Sequence, residues 1–220
     1  MSSTLPQTVL LDLDGTLVDN FVAIHRCAND VMQIMGLPER SFAEVKKSVG
    51  GAAKATMTRL VGEANASTAI RLYLEHFPTV MYDGLEVYPG ARELLPALKN
   101  RGIKVAVLTN KDHSNSLKLL AHLGMDKDLD GIFGTNLVPW RKPEAAFTHH
   151  ALSQLKMPAG TACLVGDSPF DIETARNAGL ASAHAVTTGS HTAEELLPHR
   201  PDTLHPDLAS MAQELWGIQL

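Results

Sequence analysis

Short apolar runs alternate along this chain with longer segments whose apolar positions recur every three or four residues, the pattern of buried strands set between amphipathic helices. Val9-Leu10-Leu11, Ile103 to Leu108, Ala162 to Val165 and Ser182 to Val186 predict strands, Ile132 to Val138 a mixed one, and Asp202-Thr203-Leu204 a short extended segment. The spacing predicts helices from Ala91 to Lys99, from His113 to Leu123 and from Glu144 to Leu155. A further helix carries Asp171 in its first turn and stops at Gly179, and a tail helix runs from about Asp207 to Leu215. Pro96 is a candidate kink in the first of these. Strands alternating with helices imply an α/β chain built on a parallel sheet.

Between Asn20 and about Glu86 the strand pattern disappears. Phe21, Ile24, Ala28, Val31 and Ile34 fall on one helical face, and Ala69, Leu72, Tyr73 and Phe77 on another, which predicts a helical insertion. Gly50-Gly51 within it marks either a helix break or a loop facing a ligand.

Composition narrows the picture. At 220 residues, 45% hydrophobic and 20% charged, the chain has ordinary globular proportions and length for a sheet domain plus a modest insertion. Its formal net charge of -5 argues against general nucleic-acid binding. No basic leader followed by a long apolar stretch is visible, so neither a signal peptide nor a membrane span is expected. Cys27 and Cys163 are lone thiols without metal spacing, which fits a reducing, cytoplasmic setting. Arg40, Lys46, Lys47, Lys54 and Arg59 outnumber Glu44 in the insertion, a basic stretch that would suit an anionic substrate or serve solubility.

The candidate chemistry lies at strand ends. Asp12-Leu13-Asp14-Gly15-Thr16 follows the first strand, where residues at i and i+2 project the same way while the strand lasts. Two carboxylates sharing a partly buried site call for a cation between them. Thr109-Asn110-Lys111 follows the second strand; Thr109 could donate to a phosphoryl oxygen or cap the next helix. Lys142, before Pro143, offers a compact positive charge to an anion. Gly166-Asp167-Ser168-Pro169-Phe170-Asp171 supplies a second acidic pair, with Asp171 also suited to a helix N-terminus. Each residue alone has an ordinary structural role. Together they gather acids, a hydroxyl and a lysine at the carboxyl edge of one sheet, where ligands of open α/β sheets bind.

The Asp-x-Asp-Gly-Thr-x-x-Asp start, the Thr-Asn strand end, the Lys-Pro and the Gly-Asp-Ser-x-x-Asp, in this order, resemble the four motifs of the haloacid dehalogenase superfamily. Pro89-Gly90, the segment Leu98 to Gly102 and Leu108 to Lys111 look like phosphoglycolate phosphatases and their close relatives. The resemblance implies a Rossmann-like parallel sheet core flanked by helices, over residues 1–19 and 87–220, with a small all-helical cap over 20–86. It implies a phosphatase acting on a small phosphorylated metabolite, best matched by 2-phosphoglycolate. Asp12 would be the nucleophile forming an aspartyl-phosphate, and Asp14 the acid and base. Thr109, Asn110, Lys142 and the Asp12-Leu13-Asp14 segment would hold the phosphoryl group. Mg²⁺ would sit on Asp12, the Asp14 carbonyl, Asp167 and Asp171, all hard oxygen donors. No membrane or nucleic-acid partner is implied, and the chain would act as a monomer or homodimer.

Asp14 speaks against a dehalogenase or a phosphonatase, in which that position is not usually acidic. Two other readings share the motifs. A β-phosphoglucomutase-type mutase usually has a His where this chain has Ile24, with His25 one step later, and a phosphate-binding regulatory protein would keep the fold without turnover. Ala145 stands where relatives often carry a second proline.

Overall fold

The computed structural model describes residues 5–220. Among the described residues eight strands are formed: β1 (Thr8–Leu11), β2 (Val18–Asp19), β3 (Glu86–Val87), β4 (Lys104–Asp112), β5 (Gly131–Thr135), β6 (Ala162–Gly166), β7 (Ser182–Val186) and β8 (Thr203–His205). Six of them make one parallel sheet in the order β5-β4-β1-β6-β7-β8, so β1 lies near the centre with β4 and β6 beside it.

Helices cover both faces of this sheet. Successive side chains of a strand point to opposite sides. Val9 and Leu11 therefore pack with Leu94 and Leu98 of α5 (Ala91–Lys99), Leu120 of α6 (His113–His122) and Met211 of α10 (Leu208–Trp216). Leu10 faces the other way, against Phe147 of α7 (Ala145–Leu155), Ile172 of α8 (Pro169–Asn177) and Leu196 of α9 (Ala193–Leu196). Burial on both faces explains why these strands read as continuous apolar runs rather than alternating ones. The α/β sandwich expected from the pattern is the observed fold, and α5 runs unbroken through Pro96.

Four helices fill the stretch without strands: α1 (Phe21–Ile34), α2 (Phe42–Ser48), α3 (Ala52–Val61) and α4 (Glu63–Val80). They enclose a cluster that includes Phe21, Ile24, Val31, Met57, Tyr73 and Phe77, and Leu119 of α6 is buried in it as well. Periodicity predicted only α1 and α4. The short α2 is instead announced by the reciprocal cap of Ser41 and Glu44, and α3 follows the break at Gly50-Gly51. β2 and β3 pair antiparallel, Val18 with Val87 and Asp19 with Glu86, and tie together the two chain crossings that flank the insertion.

β1 ends at Leu11 as expected, but other boundaries differ: β5 ends at Thr135 rather than Val138, and β4 continues through Thr109 to Asp112. Asp112, not Thr109, caps α6 by accepting a hydrogen bond from Asn115 N at 3.0 Å. Among the described residues no helix is long and apolar enough to cross a membrane.

Leu10 is fully buried between β4 and β6. Leu10→Ala is expected to cost roughly 2–5 kcal/mol, the range for emptying a well-packed aliphatic site, measured as a drop in the free energy of urea unfolding.

Candidate active site

The carboxyl edge of the sheet gathers the candidate residues from four chain segments. Asp12 follows β1 directly, and the chain then turns through Gly15 at φ 87°. Its Oδ1 accepts from Leu13 N at 2.7 Å and stands 2.9 Å from Lys142 Nζ, while Oδ2 has no donor among the described residues. Lys142 Nζ also lies 2.6 Å from Asp171 Oδ1, and the lysine is only 2% exposed. Asn110 fixes the lysine from behind: its amide donates to Lys142 O at 3.1 Å and its carbonyl accepts from Lys142 N at 2.8 Å. Asp171 sits in the first turn of α8, where Ser168 N and Oγ donate to its Oδ2 at 3.1 and 2.6 Å. Asp167 follows β6 and accepts from Ser190 N at 2.8 Å and Ser190 Oγ at 3.0 Å. A side chain at Gly15 would put its Cβ 2.5 Å from the Asp167 carboxylate, and one at Gly189 would collide with the same group.

Asp12, Asp167 and Asp171 can each place a carboxylate oxygen within 4.8 Å of the others. The acidic cluster is thus not the Asp12 and Asp14 pair suggested by the i, i+2 spacing. The strand stops before Asp12, so strand alternation does not carry through to Asp14. Its carboxylate instead pairs with Lys111, whose Nζ lies 2.8 Å from Oδ2 and 3.1 Å from Oδ1. Thr109 is 2% exposed inside β4 and borders the same cavity. The Leu13 N–H is engaged by Asp12 rather than open toward a ligand. Lys111, Ser168 and Ser190 were not singled out in the sequence as site residues. The polar run Thr187-Thr188-Gly189-Ser190 after β7 was the available signal for Ser190.

Three buried carboxylates lie together, and two of them, Asp12 and Asp171, share one ammonium. Burial, with Asp171 adding to it and Lys142 opposing, pushes Asp12 up to about 6. Burial together with the charges of Asp12 and Asp171 pushes Asp167 up to about 7. Burial disfavours the charge on Lys142, yet Asp12 and Asp171 hold it above the usual amine range. The surplus of negative charge, carried entirely by hard oxygen donors, fits a divalent cation. A cavity of about 390 Å³ opens from this cluster toward the helical insertion and is bounded there by Ile24, Gly50, Lys54, Tyr73 and Phe77. Of the five cations in the stretch from Arg40 to Arg59, only Lys54 borders it. Arg40 and Arg59 bind backbone carbonyls, Lys46 lies over Phe21 and Lys47 pairs with Glu195.

Residues 9–185 match the family model of the haloacid dehalogenase-like hydrolases. The chain is 35% identical over 187 residues to a phosphoglycolate phosphatase of Rhodospirillum rubrum, covering 80% of this chain and 78% of that one. To the plasmid phosphoglycolate phosphatase of Cupriavidus necator it is 32% identical, covering 80% of each. The fold is also that of CbbY from Rhodobacter sphaeroides, solved in complex with phosphate, at TM-score 0.74 and 24% identity over 91% of this chain and 93% of that one. The chain belongs to the haloacid dehalogenase-like hydrolases. Within that family it is phosphoglycolate phosphatase-like, and it is an enzyme.

Because Asp12 and Asp167 bind protons more readily here than in an unfolded chain, their contribution to stability is greatest in acid and is lost as pH rises through about 6 to 7. A divalent cation competes with those protons and relieves the repulsion. Thermal unfolding with and without 5-fold steps of divalent cation should show a larger cation-induced rise in Tm at pH 8 than at pH 5.5.

Proposed function

We propose that this protein is a Mg²⁺-dependent phosphatase that hydrolyses a small phosphate monoester, 2-phosphoglycolate first, through an aspartyl-phosphate. The observation that carries this reading is the Asp12 carboxylate, which lines the cavity: one oxygen is pinned by Lys142 and Leu13, and the other has no donor among the described residues.

Asp12 attacks phosphorus in line with the ester bond, which breaks as Asp14 gives a proton to the departing oxygen. Asp14 then takes a proton from water, which attacks the aspartyl-phosphate and releases inorganic phosphate while restoring Asp12. Thr109, the Asn110 backbone and Lys142 hold phosphoryl oxygens through both steps. Mg²⁺ would be held by Asp12, the Asp14 carbonyl, Asp167 and Asp171. When bound, it neutralises charge on the phosphoryl group. Residues 20–86 act as the cap and residues 1–19 with 87–220 as the core, the cap excluding water from the reacting ester. Burial pushes the Cys27 and Cys163 thiols up to about 12, consistent with packing roles in a cytoplasmic protein.

The mutase reading finds less support. Ile24 borders the cavity, while His25 Nε2 is tied to the Arg40 carbonyl at 3.1 Å and to Asn29 at 3.0 Å.

Phosphate release from a panel of small esters should require Mg²⁺, vanish in EDTA and favour one ester. Conversion of a hexose 1-phosphate without phosphate release would favour the mutase instead. Asp12→Asn should fold with unchanged circular dichroism and show no turnover; metal-dependent turnover in that variant would sink the mechanism. Thr109→Ala should lower kcat by roughly 10²- to 10³-fold, the usual effect of removing one preorganised donor.

A further inference from the structure

Lys111 is the cation that the phosphoryl chemistry leaves unused. It follows Thr109 and Asn110 on β4, its side chain is 7% exposed, and it borders the cavity. Its ammonium lies between the two layers of the molecule. On the sheet side it pairs with both Asp14 oxygens, at 2.8 and 3.1 Å. On the cap side it stands 4.5 Å from the centroid of the Phe77 ring on α4. An ammonium has three donors. Two reach Asp14, and no other hydrogen-bond acceptor contacts this nitrogen among the described residues. The face of Phe77 attracts the charge but supplies no oxygen.

The other cations in and behind the cavity differ in kind. Lys142 is enclosed by Asp12 and Asp171. Lys54 and Arg141 are exposed, and Arg141 stands 4.0 Å from Glu144. A charge in water binds an anion weakly, whereas a desolvated one does so strongly. Only Lys111 among the cavity cations is both removed from water and in contact with Asp14.

We propose that Lys111 selects the substrate by binding a carboxylate attached to the carbon that bears the ester oxygen. This inference rests on Asp14 being the group that faces the departing oxygen. In a P–O–CH₂–COO⁻ skeleton the carboxylate carbon is two bonds from that oxygen. An ester oxygen hydrogen-bonded to Asp14 therefore brings its carboxylate beside the ammonium already touching Asp14. A second carboxylate completes the donor set of Lys111, while an uncharged substituent leaves it as it is. The substrate class defined in this way is the phosphorylated α-hydroxy acid, of which phosphoglycolate is the smallest. The apolar surface of Ile24 and Phe77 accepts the rest of the molecule without adding charge.

The test compares kcat/KM for 2-phosphoglycolate and for 2-hydroxyethyl phosphate, similar in size but lacking the carboxylate, in wild type, Lys111→Met and Lys111→Arg. Wild type should prefer the acid. In Lys111→Met the ratio of the two values should fall roughly 10- to 100-fold, the span expected for a hydrogen bond to a charged group, and Lys111→Arg should restore part of it. Loss of the Asp14 contact affects both esters and cancels in the ratio. Competition by inorganic phosphate should be unchanged in Lys111→Met, showing a folded phosphoryl site. Equal loss on both esters, or a wild type without preference for the acid, would overturn the role of Lys111 while leaving the phosphatase reading intact. No release from either ester by wild type would overturn both.

Discussion

The Lys142 ammonium, buried between the Asp12 and Asp171 carboxylates, is the interaction around which the site is arranged. A charge taken out of water is stable only when its partners are held in place, and here each partner is held by something else. Asn110 grips the lysine backbone from β4, Ser168 grips Asp171 from the α8 cap, and Leu13 N fixes Asp12 after β1. Three strands and a helix must be in register before the ion pairs can form. Stability comes from the apolar layers above and below the sheet, and the site spends part of it on an unbalanced cluster of carboxylates.

That imbalance gives the cavity two unlike ends. The end bounded by Asp12 and Asp167 is rich in hard oxygen donors. The end bounded by α1, α3 and α4 is mostly apolar. The insertion and the sheet domain are packed together at several points, with Leu119 of α6 buried in the insertion's own apolar cluster and Tyr82 stacked on His122. Phe170, just ahead of Asp171 in α8, lies against Gly50 and Gly51, where an added Cβ would come within 3.2 Å of the ring and where φ is positive at both glycines. Lys111 against Phe77 is another contact. Lys47 with Glu195, 3.2 Å apart, is one more, though both side chains are well exposed and such a pair contributes little.

Much of the fold was legible in the chain because burial on both faces writes itself as continuous apolar runs. β7 and α5 have the limits that the pattern predicted. The ends of β1 and β6 could be located because polar residues follow those apolar runs abruptly, which set Asp12 and Asp167 at the carboxyl edge, whereas β4 runs on through Thr109 to Asp112 and β5 stops at Thr135. The short α2 and α3 were missed because neither is long enough to express a helical period, and α2 depends on a single reciprocal cap.

By itself the sequence determined which layers exist and which residue types stand at the carboxyl edge, since both follow from local pattern and the direction of the strands. Only the tertiary structure decided which charge meets which. Asp14 is near Asp12 in the chain and yet belongs to Lys111, because the strand ends at Leu11 and the chain turns at Gly15. Ser190 reaches Asp167 from beyond β7, and Asn110 reaches Lys142 across two elements. These pairings link residues far apart in sequence, and no local pattern encodes them. Electrostatic partners are chosen by distance and desolvation, and both are set only when the sheet has closed its neighbours around them.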